Sequence, residues 1–434
     1  MHKPRPVRNQ RLCEAVKTFL SSVHLMTVAT AGLQSTPTST PISAGSTSIK
    51  AAAEFAELPE FENCVNEFTK DQIVAAHFDK NISTGTLGAY RGLTASTAVT
   101  QLIQSFLSAT SAGYEAEYIE HVYHRSEDTF YCDTLECEAI APLQGWFISD
   151  AVQQHHNDGA LLRLSDEVEI RALSPQEKRC VYQLELVRRQ GLQWTDQTFA
   201  ITVKYRVPKI LMRLEAEDSP QQQATAEQRV FEANDRIDEL LQTLRIFRED
   251  NIRQGGVLHR VNSPVFAQVC RIFSKPLADP LANALSLYVI QDAKDLESLK
   301  HLWQSVQSAK AKGFRSLIVA MRRFSDADER HHVEDRIIDL MISAEALAQA
   351  SNSRKKGETI AAYIASHSPL NERQAVLSHM RDTYRLRNSI MHEGDASAWL
   401  TKKHMQPHDL RPFVGTAETY LRHALRARIQ QAAK

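Results

Sequence analysis

Apolar residues recur every three to four positions near the start of this chain and through its C-terminal half, and every second position in a stretch near its middle, while residues 51–145 show no clear pattern. Leu12, Val16, Phe19, Leu20 and Val23 fall on one helical face, which predicts an amphipathic helix near the start. In "FAITVKYRV" (199–207), Phe199, Ile201, Val203, Tyr205 and Val207 alternate with smaller or polar residues, the period of a half-buried strand. "YQLELV" (182–187) alternates likewise, and "RRQGLQWTDQ" between the two predicts a hairpin connection. Residues 1–214 therefore read as a mixed α+β domain, with the small polar segment "STPTSTPISAGSTS" (35–48) as loop.

"EAEDSPQQQATAEQ" (215–228) reads as a linker or the exposed start of a helix. Beyond it Ile237, Leu240, Leu241, Leu244 and Phe247 make a helical stripe. From about residue 265 the pattern predicts helix almost throughout, giving a helical middle region (215–314) and a helical C-terminal domain (315–434). Trp303 reads as a core anchor between helices.

Four helices are predicted in the last 110 or so residues, and an antiparallel bundle is their natural packing. The first spans 326–350, with Asp326 or Asp328 as N-cap and Val333, Ile337, Leu340, Met341, Ala344 and Ala348 as its core stripe. A short one covers 356–367. The third opens with Pro369 and an Asn371 cap and closes at Gly394. The last spans 415–434.

The third helix carries "YRLRNSIMHEG" (384–394). At about 100° per residue from Arg381, the apolar Leu377, Tyr384, Met391 and Met380 lie between about −40° and −100°. Arg387 falls near about −120°, at the margin of that apolar arc, whereas Arg381, Arg385, Asn388 and His392 lie within about 40° of the origin. A guanidinium beside a core is costly unless paired, and Glu345 on the first helix is the expected partner. His392 sits in the last turn, where free carbonyls favour a cationic imidazole.

A histidine near neutrality accepts and donates protons, and Arg387 with Asn388 offers charged and neutral donors to a phosphate. That set suits RNA transesterification, in which a ribose 2′-OH attacks the adjacent phosphate without a metal. The bare R-x4-H spacing is weak. Arg253/His259 and Arg373/His379 satisfy the looser R-x5-H form in the same chain, the first across Gly255-Gly256.

"EDRIIDLMISAEAL" (334–347), followed some forty residues later by "MRDTYRLRNSIMHEG" (380–394), resembles the Apea-like branch of the HEPN superfamily, as does "LIVAMRRF" (317–324). The resemblance covers about residues 315–434. It implies a four-helix-type HEPN bundle, a homodimer through that domain, and R-x4-6-H motifs from two protomers meeting in one cleft. On this resemblance Arg387 and His392 are the catalytic motif, Asn388 assists, and Glu345 is the supporting acid. The activity implied is metal-independent endoribonuclease action on RNA, in phage defence or beside an antitoxin. Some members of the superfamily are inactive, so a non-catalytic RNA-binding or protein-interaction module is the alternative. "HEG" replaces the commoner "HG" and moves the helix end by one residue.

Composition changes this picture little. The net charge of −1 over 434 residues excludes a global basic field as the means of recruiting RNA, so any such binding is local. Residues 321–434 hold 18 Lys and Arg against 14 Asp and Glu, and Arg381, Arg385, Arg422 and Arg426 are the secondary RNA-binding candidates. The six cysteines contain no C-x-x-C pair, and Cys132 and Cys137 near His121 and His124 lack the spacing of a zinc site. The adjacent pairs His155-His156 and His331-His332 point apart and read as surface. No metal and no cofactor is expected; H-E-x-x-H, Walker A, G-x-G-x-x-G and G-x-S-x-G do not occur. No apolar run approaches the roughly 20 residues of a membrane span, and Lys17 and His24 interrupt the N-terminal apolar stretch. The expected setting is cytoplasmic, with reduced thiols.

Overall fold

The computed structural model describes residues 7–33, 55–78, 81–83, 89–90, 93–110, 117–144, 146–148, 160–174, 177–178, 199–212, 220–249, 252–265, 271–273, 288–350 and 353–434. The predicted strand at 182–187, its hairpin, the 35–48 loop, His155-His156, Cys180 and Cys270 lie outside them. The fold is mixed α+β, with helices at both ends of the chain. Three sheets are formed: β2-β1-β8, a larger one in the order β11-β10-β3-β7-β6-β5 with β9 on β3, and the parallel pair β12-β4. Their strands are β1 (Asn81–Ser83), β2 (Ala89–Tyr90), β3 (Thr134–Gln144), β4 (Trp146–Ile148), β5 (Ala160–Arg163), β6 (Val168–Ala172), β7 (Phe199–Pro208), β8 (Ile210–Met212), β9 (Arg253–Gln254), β10 (Val257–Val261), β11 (Arg271–Phe273) and β12 (Tyr288–Ile290). The chain divides into two compact units, one of residues 1–139, 204–233 and 258–272, the other of 140–203, 234–257 and 273–434.

In the first unit α1 (Gln10–Leu33), α2 (Pro59–Lys70), α3 (Gln72–Ala75), α4 (Ala95–Thr110) and α5 (Glu117–Tyr131) gather around an aromatic core. Leu12, Val16, Phe19, Leu20 and Val23 are buried, as their spacing predicts. Phe68 meets Phe130 edge to face at 5.7 Å, and each fully buried aromatic of this kind contributes about 1.5–3 kcal/mol. Asp71 caps α3 by accepting from the backbone N–H of Ile73 and Val74, and it also accepts from Asn9 and Tyr131. Glu127 is buried yet satisfied, taking Arg8 N–H at 2.7 Å and the Tyr123 hydroxyl at 2.8 Å.

In the second unit β5, β6 and the Phe199–Val203 part of β7 pair antiparallel. Phe199 to Val203 are buried without alternation, Ala200 and Thr202 included, so this end of β7 is covered on both faces rather than half-buried. The helix α6 (Pro220–Phe247) begins within the glutamine-rich stretch, and its predicted stripe from Ile237 to Phe247 is buried. The predicted helical middle region (215–314) instead contains strands β9 to β12, of which β11 and β12 also fall beyond residue 265, where helix is predicted almost throughout. Helix then resumes with α7 (Ala293–Ala311), α8 (Arg315–Asp328), α9 (Val333–Leu347), α10 (Lys356–Ser366), α11 (Arg373–Glu393), α12 (Ser397–Lys403) and α13 (Leu410–Ala433). Trp303 is buried on α7.

The predicted 326–350 helix is two helices. Asp326 and Asp328 close α8 instead of capping α9, whose first turn follows His332 without a side-chain cap. Likewise α11 starts at Arg373 after Glu372, so Asn371 is not its cap. Gly394 does end α11, in the left-handed region at φ 90°, with its N–H donating to Ile390 O. No helix among the described residues is long and apolar enough to cross a membrane.

Candidate functional site

α11 packs on α10, α9 and α13, and its buried side is Val376, Met380, Thr383, Leu386 and Ile390. This stripe is rotated from the predicted one. Met391 is 53 % exposed, and Thr383 takes a core position by donating its hydroxyl to His379 O at 2.9 Å. On the same wheel Val376 lies at about −140° and Met380 at about −100°, so Arg387 projects within the core arc itself. Its side chain is half-buried.

The expected Arg387–Glu345 ion pair does not form. Glu345 accepts instead from Lys356 Nζ at 2.8 Å, across from α9 to the first residue of α10. Lys356 is held above the usual ammonium range by its hydrogen bond to Glu345 and the attraction of that carboxylate, against the repulsion of nearby Arg387. Arg387 donates to the side-chain oxygen of Asn388 at 3.1 Å and has no ion-pair partner among the described residues. Asn388 is thereby oriented by its neighbour, leaving its amide N–H free to point elsewhere.

His392 is exposed on the last turn of α11 and makes no hydrogen bond among the described residues. Five residues after Arg387, it lies about 140° around the helix from it. One copy of α11 therefore does not aim both side chains at one point. Beside His392, Glu393 accepts from Ser389 at 2.5 Å.

The second R-x5-H pair of the chain behaves differently. Arg373 donates to the carbonyls of Ser368 and Ser366, both at 3.2 Å. His379 packs on Phe413 at 4.2 Å, contacts Phe413 O through Nε2 at 3.0 Å, and its pKa is pushed down by burial. Both residues are consumed by the fold. Arg253 and His259, the other pair, sit in β9 and β10 as Gly255-Gly256 foretells. Against these internal controls, Arg387 and His392 are the pair left unused.

The secondary candidates separate. Arg381 pairs with Glu358. Arg385 pairs with Asp382 at 3.2 Å but remains exposed. Arg426 is half-buried with its guanidinium 5.9 Å from the Phe247 ring. Arg422 is not a surface residue at all. It is 4 % exposed, donates to Glu418 at 2.6 Å and to Arg245 O at 3.0 Å, and lies over Phe324.

Gly357 and Tyr384 escape a sequence reading, because their relation is one of distance. A Cβ on Gly357 would stand 2.6 Å from Tyr384 Cδ1, so glycine is what lets α10 close on α11. Gly357→Ala is expected to destabilise the protein by about 1–3 kcal/mol despite alanine's better helix propensity. Urea unfolding checks this, and Tyr384→Ala in the same chain should cancel most of the loss.

Among the described residues no three His, Cys, Asp or Glu side chains converge as a metal-ligand set, and Cys137 is buried apart from the half-exposed Cys132. No family model, curated protein or solved structure matches the chain.

Proposed function

We propose that the α9–α13 helices form a HEPN-type bundle acting as an endoribonuclease without a metal, with Arg387 on the scissile phosphate, His392 transferring protons and Asn388 assisting. The observation that carries this reading is the unneutralised guanidinium of Arg387 beside Lys356, with Glu345 already engaged elsewhere. A cation set in a core arc without a counter-charge is unfavourable alone, and a phosphodiester supplies the missing anion. Glu345 then acts through Lys356, holding it next to Arg387, rather than by orienting Arg387 directly.

The roughly 140° between Arg387 and His392 makes a second copy of the chain part of the proposal, since two α11 ends are needed to bring an arginine and a histidine to one phosphate. RNA is the substrate class and the cytoplasm the proposed setting, in phage defence or with an antitoxin partner. A second reading is favoured by the exposed, unoriented imidazole of His392: a bundle that binds RNA or protein without cutting it.

Cleavage of RNA in EDTA separates the two. The wild type is expected to leave 2′,3′-cyclic phosphate ends, and His392→Ala to cut about 100-fold more slowly, the usual size of a lost general acid–base. Equal rates would remove the proton-transfer role, and an inert wild type would favour the binding module. Arg387→Ala should also lose cleavage, with circular dichroism confirming that it keeps its helices.

A further inference from the structure

A second basic site lies wholly within the first unit, far in sequence from α11. α5 presents His121, Arg125, Asp128 and Thr129 along one stripe, at spacings of four, three and one. β7 presents Lys204 and Arg206, two apart and so on one face. With residues of β3 and the end of β10 these line a half-open cleft of about 600 Å³, within the range of roughly 300–1,000 Å³ typical of small-molecule sites.

The walls are mostly polar. Thr129 and Ser263 join their hydroxyls at 2.8 Å, and Asn262 holds the Glu136 carboxylate at 3.0 Å. Leu135 and Val261 are the apolar share. Three permanent cations face two carboxylates, Asp128 and Glu136. Among the described residues the Arg125 guanidinium has no hydrogen bond or ion pair, and its Nε is buried without a partner. Desolvation pulls its pKa down, and burial with the charge of Arg125 does the same to His121. Removing a guanidinium from water with no carboxylate in hydrogen-bond contact is unfavourable, and Glu136 and Glu138 offset that only through space. A bound anion would reverse that, and a carboxylate of the chain could have done so if the fold required only a structural pair.

We infer that this cavity binds a small phosphorylated, hydroxyl-rich molecule, its phosphate on Arg125 and Arg206 and its hydroxyls on Thr129, Ser263 and Asn262. A half-open cleft of about 600 Å³ holds a sugar phosphate, and no aromatic wall among the lining residues offers a nucleic-acid base its stacking surface beyond the His121 ring. This inference is independent of the nuclease reading, since none of its residues belongs to α11.

Calorimetric titration of the full-length chain with ribose 5-phosphate, inorganic phosphate, ribose and an eight-nucleotide oligouridylate tests it. Ribose 5-phosphate is expected to bind at least tenfold more tightly than inorganic phosphate, and ribose not measurably. Arg125→Gln, which removes an unpaired charge and should fold at least as well, is expected to weaken ribose 5-phosphate binding by about 10–100-fold. Arg206→Gln, at an exposed strand position, should weaken it severalfold. Cys132 lines the same cavity, so saturating ribose 5-phosphate should slow its alkylation by iodoacetamide, followed on the Cys132 peptide by mass spectrometry. Absence of millimolar binding, equal binding by Arg125→Gln, unprotected Cys132, or tighter binding of the oligouridylate would each overturn the inference.

Discussion

Glu418→Gln is expected to lower the unfolding free energy by about 3–5 kcal/mol, the cost of leaving buried charges uncompensated. The carboxylate sits between two guanidinia, taking Arg422 on its own helix at 2.6 Å and Arg336 of α9. Arg336 also reaches Asp328 of α8 at 3.6 Å, and Asp328 in turn meets Arg245 of α6 at 3.3 Å. Arg245 is 4 % exposed and donates further to Ser325 on α8 and to Ile252 O. A chain of alternating charges thus ties α6, α8, α9 and α13 together through the interior. Glutamine keeps the shape of Glu418 and removes only its charge, so among the described residues Arg336 keeps as counter-charge only Asp328 at 3.6 Å and Arg422 only the exposed Glu249 at 3.5 Å. Urea unfolding of the wild type, Glu418→Gln, Arg422→Met and the double variant measures the loss. A coupling above about 1 kcal/mol between the two sites would show that they act as one network.

That network was the least legible part of the chain. Arg245, Arg336, Glu418 and Arg422 are charged side chains, and a hydropathy pattern, which records each residue alone, does not assign them to the interior. They become interior by satisfying one another, a long-range relation that spacing along one helix does not contain. The same limit explains Glu345. Its place beside the core stripe of α9 was readable, whereas its pairing with Lys356 depends on where the next helix lies in space. By contrast, Ile337, Leu340, Met341 and Ala344 were readable, since a continuous apolar stripe has one way to be buried. Gly394 was readable too, as its left-handed φ is a local requirement.

The α8–α9 break was missed for a different reason. "DADERHHVEDR" holds neither proline nor glycine, and two helices meet in it through four polar residues, Glu329 to His332, that a continuous helix would equally tolerate. On α11 the error was one of phase. Met391 was counted as core by its apolarity, yet it sits in the final turn, where little is left to pack against it, while Thr383 enters the core by bonding its own backbone. Correcting the phase moves Arg387 from the margin of the apolar arc into it. That sharpens the question of its counter-charge, and the candidate site rests on Arg387 finding none among the described residues.

Acidification is expected to destabilise the first unit in a defined window, through His259. This residue of β10 is fully buried, and burial lowers its pKa from the ordinary 6.5 to about 4. Between those values the unfolded chain binds a proton that the folded one does not, so stability falls as pH drops from about 6.5 towards 4. Above 6.5 both states are neutral at this site and the contribution vanishes; the full loss, about 3 kcal/mol, is reached near pH 4. The structure favours the neutral ring, because the Tyr205 hydroxyl lies 2.7 Å from Nδ1 and donates to it only while that nitrogen is unprotonated. Urea midpoints at pH 7, 6, 5 and 4.5 should fall for the wild type. In His259→Gln, which keeps an acceptor for Tyr205 and cannot titrate, the fall should be shallower by up to one proton. An identical pH dependence in the two proteins would mean that His259 gains its proton inside the folded state at little cost, and that its surroundings are wetter or more negative than the packing around β10 implies.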